Sequence, residues 1–174
     1  MRTLFYDDVL DGRPIADSIF LAGPTARGVR TAWRLEALEL LALRGFAGTV
    51  VIPEFREARF DDAAPVRFGE PASPVAGMRA TSFNILAWET TGIESVSVVL
   101  FWMPFAIAGE HDPASLPGFT TRAEVSRELA RDPSRIVLGM PAGALSGSHI
   151  RYHAHRANVR VWATLAETVD AATP

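Results

Sequence analysis

Short apolar runs bounded by Gly, Pro or polar turn residues alternate along this chain with stretches of helical period. Ser18-Ile-Phe-Leu-Ala-Gly23, Thr49-Val-Val-Ile52, Val96 to Trp102, Arg135 to Met140 and Val159 to Trp162 read as strands. Val96-Ser-Val-Val-Leu-Phe-Trp102 is nearly continuous in apolar residues, the mark of a parallel strand covered on both faces. Between the strands, residues 29 to 44 place Ala32, Leu35, Leu38 and Ala42 on one helical face, with Gly45 as the stop. Further helices are predicted over 81 to 91 (ended by Gly92), Thr121 to Ala130, 147 to 157 and the C-terminal residues.

Strand and helix in alternation predict parallel pairing and an α/β three-layer sandwich in one domain. Thr3-Leu-Phe-Tyr6 is placed as an extra edge strand or a hairpin. Two long stretches, 56 to 80 and the segment from Met103 to Pro117, read as loops at the carboxyl edge of the sheet. Open α/β sheets bind their ligands at that edge.

Composition narrows the chemistry. There are no cysteines, which excludes disulfides, thiolate metal sites and cysteine nucleophiles. A net charge of −3 argues against binding a nucleic-acid polymer or an anionic membrane through bulk charge, but allows a single nucleotide. No apolar run is long enough to span a bilayer, and Asp7, Asp8, Asp11 and Arg13 stand where a signal peptide needs an apolar core. The chain is therefore expected to be cytoplasmic.

The segment Leu116-Pro-Gly-Phe-Thr-Thr-Arg-Ala-Glu124 delivers a carboxylate just beyond the third strand. With Thr121 as N-cap, Thr121-Arg-Ala-Glu124 fits a capping box, and Glu124 then has a purely structural role. The same position suits a carboxylate kept ionised by the helix end and able to attack an anomeric carbon. Glu89 is either a solvated helix residue or a proton donor or hydrogen-bond partner for a leaving base. An ordinary crossover helix would carry it to the wrong edge, so pairing it with Glu124 requires this helix to cross the site obliquely.

Gly23-Pro-Thr-Ala-Arg-Gly28 joins the first strand to the first helix and can present backbone N–H groups to a phosphate or sugar. It lacks both the three-glycine dinucleotide fingerprint and the P-loop lysine, and Arg27 and Arg30 are read as exposed or phosphate-facing. His149 and His153 share a helical face with His155 nearby, but no HExxH pattern is present and no metal is expected. Ser146-Gly-Ser148 reads as a helix start. Trp33 and Trp102 read as core or pocket wall.

Together these pieces resemble the nucleoside 2-deoxyribosyltransferase-like family, from about Ser18 to Leu165. The resemblance rests on Ile19-Phe-Leu-Ala-Gly-Pro-Thr25, Ala32-Trp-Arg-Leu-Glu-Ala-Leu38, Val51-Ile-Pro-Glu54, Trp88-Glu89, Leu100-Phe-Trp-Met-Pro104, and Leu116 to Thr121 followed by Glu124. It implies a flavodoxin-like five-stranded, mainly parallel sheet, a homo-oligomer, and a site that uses no cofactor. It places the nucleophile on Glu124 and an acidic residue assisting the base on Glu89. Gly23, Pro24, Thr25, Trp88, Gly118, Thr120 and Thr121 are the implied substrate-binding positions. The expected activity is deoxyribosyl transfer or hydrolysis at the N-glycosidic bond of a nucleoside or nucleotide. A non-catalytic nucleotide-binding or assembly module is the alternative. The family pattern differs at Ile19, Ser97, Phe105, Gly118, Arg122 and Ser126, where relatives tend to carry Tyr, Asp, Arg, Asp, Asn and Gly.

Overall fold

The computed structural model describes residues 1–24, 32–56, 75–76, 80–104, 119–144 and 147–173. Among these residues, six strands form one sheet: β1 (Arg2–Leu4), β2 (Ile15–Ala22), β3 (Thr49–Val51), β4 (Val96–Trp102), β5 (Ile136–Gly139) and β6 (Val161–Trp162). Their order is β1-β3-β2-β4-β5-β6, and every pairing is parallel. The five strands after β1 follow the flavodoxin order, and β1 extends the sheet beyond β3. Thr3-Leu4 is thus an edge strand and not a hairpin, since Arg2 to Leu4 run parallel to Thr49 to Val51.

Five helices cover the two faces: α1 (Ala32–Leu43), α2 (Ala80–Ser95), α3 (Phe119–Arg131), α4 (Ser148–Arg156) and α5 (Leu165–Ala172). Alternation along the strands sorts the core. Val99 and Phe101 of β4 join Phe20, Ile93, Val125 and Ile150 under α2, α3 and α4. Leu100 and Trp102 join Ile19, Leu21, Trp33, Leu41 and Val169 under α1 and α5. Both faces of β4 are buried, which is why its sequence carries almost no alternation.

Two expectations are corrected. The buried stripe of α1 is Trp33, Arg34, Ala37 and Leu41, while Ala32, Leu35 and Ala42 are exposed. The helix is turned from its apolar face because tertiary partners take Arg34 inside, as described below. Gly92 does not end α2, which continues to Ser95 and enters β4 at the next residue. A Cβ on Gly92 would stand 2.7 Å from the Phe20 ring and 3.3 Å from Val51, so this glycine lets α2 lie close over β2 and β3. The helix has to cross β2 to join β3 to β4, and this crossing takes it over the site.

Candidate functional site

Strands β2 and β4 are neighbours whose following helices, α1 and α3, lie on opposite faces of the sheet. Their carboxyl ends are therefore the topological switch point of an open α/β sheet, where a crevice is expected. A cleft of about 370 Å³ lies there. Its floor is Phe20, Ala22, Gly23 and Pro24 from β2, and its walls include Glu89 from α2 and Thr120, Thr121 and Glu124 from α3. Both helices run from the carboxyl edge of the sheet back toward the amino edge. Helical side chains lean toward the helix N-terminus, so Glu89 and Glu124 are tipped back into the crevice. Glu89 lies mid-helix and not at the far end, which removes the objection to its pairing with Glu124.

Glu124 is not a cap. Helix α3 begins at Phe119, so Thr121 is its third residue and Glu124 its sixth, beyond the first turn. A formed capping box exists elsewhere, at the start of α5. There Glu167 N–H donates to Thr164 Oγ1 at 3.2 Å and Thr164 N–H donates to Glu167 Oε2 at 3.0 Å. That glutamate is stabilised as its anion, and these hydrogen bonds hold its carboxyl below the ordinary value. Glu124 behaves in the opposite way: burial and the charge of Glu89 push its carboxyl up to about 7, against weaker pulls from Arg127 and Arg34. The helix end does not hold it ionised, because the dipole's influence fades within the first turn.

Glu89 is also raised, chiefly by burial, while the Tyr6 hydroxyl and the Arg34 charge act to lower it. Tyr6 donates its O–H to Glu89 Oε1. Burial and the Glu89 charge lift the phenol well above its ordinary value, so it remains protonated. Arg34 is 1 % exposed. Its guanidinium donates to Leu21 O at 3.2 Å, Gly23 O at 2.9 Å and Glu54 Oε1 at 2.7 Å, tying the end of β2 to the segment after β3. One buried cation thus stands among three carboxylates, Glu54, Glu89 and Glu124.

Of the residues expected from sequence, Gly23, Pro24, Glu89, Thr120, Thr121 and Glu124 line the cleft together. Trp88 stands behind the wall. Adjacent helical positions point about 100° apart, so with Glu89 facing the cleft, Trp88 turns to Phe20 and Tyr6 and donates to Asp8 O at 2.9 Å. Thr25 and Gly118 lie outside the described residues, as do Arg27, Gly28, Arg30, Phe105 and Ser146. Gly23 has a packing reason of its own: a Cβ there would come within 2.5 Å of Trp102 O and 2.6 Å of the Trp33 indole. The His149 and His153 rings are 4.4 Å apart on α4, and among the described residues no three His, Asp or Glu side chains are grouped to hold a metal. Among those residues, no helix is long and apolar enough to cross a membrane.

Tyr6 and Arg34 are the site residues that sequence reasoning missed. Arg34 lies in the helix read over residues 29 to 44, and nothing local to it marks a buried cation. Tyr6 ends an apolar run and precedes Asp7 and Asp8, a faint signal of an aromatic at a strand's ligand end. No protein-family model matches the chain, and comparison with curated proteins finds no match.

Proposed function

We propose that this cleft breaks the N-glycosidic bond of a nucleoside or nucleotide. The observation that carries this reading is that two carboxylates from different helices, Glu89 and Glu124, share one cleft at the switch point, close enough for the charge of one to raise the other. A cleft of about 370 Å³ falls in the range of small-molecule sites. In the reaction, ionised Glu124 attacks C1′, the C1′–N bond breaks, and its electron pair leaves with the base. Glu89 faces the base or sugar as a hydrogen-bond partner. Water or a second base then takes the glycosyl group from Glu124, giving hydrolysis or transfer. Assembly of several copies and a cytoplasmic setting belong to the same reading.

Base release from a panel of ribo- and deoxyribonucleosides and their 5′-phosphates, followed by chromatography from pH 5 to 9, tests it. Attack requires the Glu124 anion, so kcat/KM is expected to climb about tenfold per pH unit up to about 7 and then level off. A second reading has one observation in its favour: a carboxyl held near 7 is well matched to general-acid work. Glu124 would then protonate the leaving base and Glu89 would carry the charge, and the rate would fall as pH rises through about 7. Bound ligand with no base release at any pH would sink both readings and leave a binding module.

A further inference from the structure

Tyr6 enters the cleft from the added edge strand. Its backbone N–H donates to Glu54 O at 3.0 Å, which anchors the segment after β1 to the end of β3. The ring packs between Phe55, 5.2 Å away, and Trp88, 5.0 Å away and edge-on at 70°. Trp88 is itself tied to Asp8 O. A ring held on both sides fixes where its hydroxyl points, and that hydroxyl donates to Glu89 Oε1. Among the described residues, the charged or titratable groups around Glu89 are Tyr6 after β1, Arg34 on α1 with its partner Glu54, and Glu124 on α3.

We propose that Tyr6 is the positioning residue of the carboxylate pair: its hydroxyl holds one oxygen of Glu89 and leaves the other facing the cleft as a standing acceptor for an O–H or N–H of the ligand. This rests on the glycosidic reading for the identity of that ligand group, a sugar hydroxyl or an N–H of the base. The geometry itself does not depend on it. A buried phenol that keeps its proton can only donate here, and a carboxylate that accepts from it is favoured as the anion. Glu89 then carries the fixed charge of the pair, and Glu124 is the member that titrates.

Tyr6→Phe removes the hydroxyl and keeps the ring between Phe55 and Trp88. Carboxyl-carbon NMR titration of the glutamate-labelled protein needs no substrate, with Glu89→Gln and Glu124→Gln giving the assignments. Without its donor, Glu89 is harder to ionise. In Tyr6→Phe the Glu89 midpoint is expected to rise by roughly half a pH unit or more. Where base release is measurable, Tyr6→Phe is expected to lose roughly tenfold to a hundredfold in kcat. A Glu89 midpoint that does not rise in Tyr6→Phe overturns the proposal, whatever the turnover. A Glu89 midpoint that rises in a protein releasing no base from any substrate upholds it and refutes the glycosidic reading instead.

Discussion

Glu124→Gln is expected to cut base release by roughly a thousandfold or more and, at pH 8, to melt higher than the parent protein. The two effects have one cause. Burial beside Glu89 lifts the Glu124 carboxyl from an ordinary 4.5 to about 7 in the folded state. A group whose folded pKa is raised gives its full stabilisation below the unfolded value, and that stabilisation is lost as pH climbs through the folded value. Between about pH 4.5 and 7 the folded protein therefore loses stability that the neutral amide retains. The rise from 4.5 to about 7 corresponds to roughly 3 kcal/mol at pH 8. For a chain of this size that is on the order of 5–10 °C in Tm. Calorimetric scans should find the two proteins alike near pH 4.5 and apart at pH 8. A capping glutamate predicts the reverse, a variant weaker at neutral pH, because the amide replaces a charge that was doing structural service. A Gln variant that is less stable at pH 8, or that still turns over, would remove Glu124 from the chemistry.

The largest stability loss is expected from Arg34→Met. Arg34 is almost wholly buried and bonds Leu21 O, Gly23 O and Glu54 at once. Removing it takes from the buried Glu54 carboxylate the guanidinium 2.7 Å away, and takes a side-chain donor from two strand-end carbonyls. Breaking a buried pair from one side typically costs about 3–5 kcal/mol. Urea denaturation should place the midpoint well below that of the parent. Arg34→Lys is expected to recover little, since an ammonium lacks the planar fork that reaches several acceptors together. Pairing Arg34→Met with Glu54→Leu should restore part of the loss by removing the buried carboxylate that Arg34 bonds, giving a sizeable coupling in the double-mutant cycle. If Arg34→Met alone is within about 1 kcal/mol of the parent, the buried network does not hold the switch point together.

The parts of the fold legible in sequence were those whose burial is decided locally. Strand β4 could be placed to the residue because Val99 to Trp102 are buried on both faces and are all apolar. The carboxyl-edge rule places Glu124 at the ligand edge, and the cleft lies there. Arg34 was invisible because its burial depends on Glu54, twenty residues on, and on the carbonyls of β2. Local period sees a charge and turns the helix the wrong way. Gly92 was read as a stop because a glycine after a helical run usually is one. Here its role is a contact with Phe20 from another element. Tyr6 could be connected to Glu89, 83 positions away, only once the parallel pairing of β1 with β3 was known.

Helix α2 and strand β4 meet with no residue between them, Ser95 passing straight to Val96. Arg135 clamps the junction by donating to the carbonyls of Ile93 and Val96. The angular setting of α2 is thereby geared to the pleat of the sheet. Inserting one residue at this joint would rotate the helix by about 100° relative to β4. Glu89 would swing out of the cleft to the place Trp88 now holds, and Thr90 would take the cleft-facing place, while no cleft side chain had itself been changed. The joint therefore acts as an indexing pin, and a length change there edits the chemistry without touching a functional group.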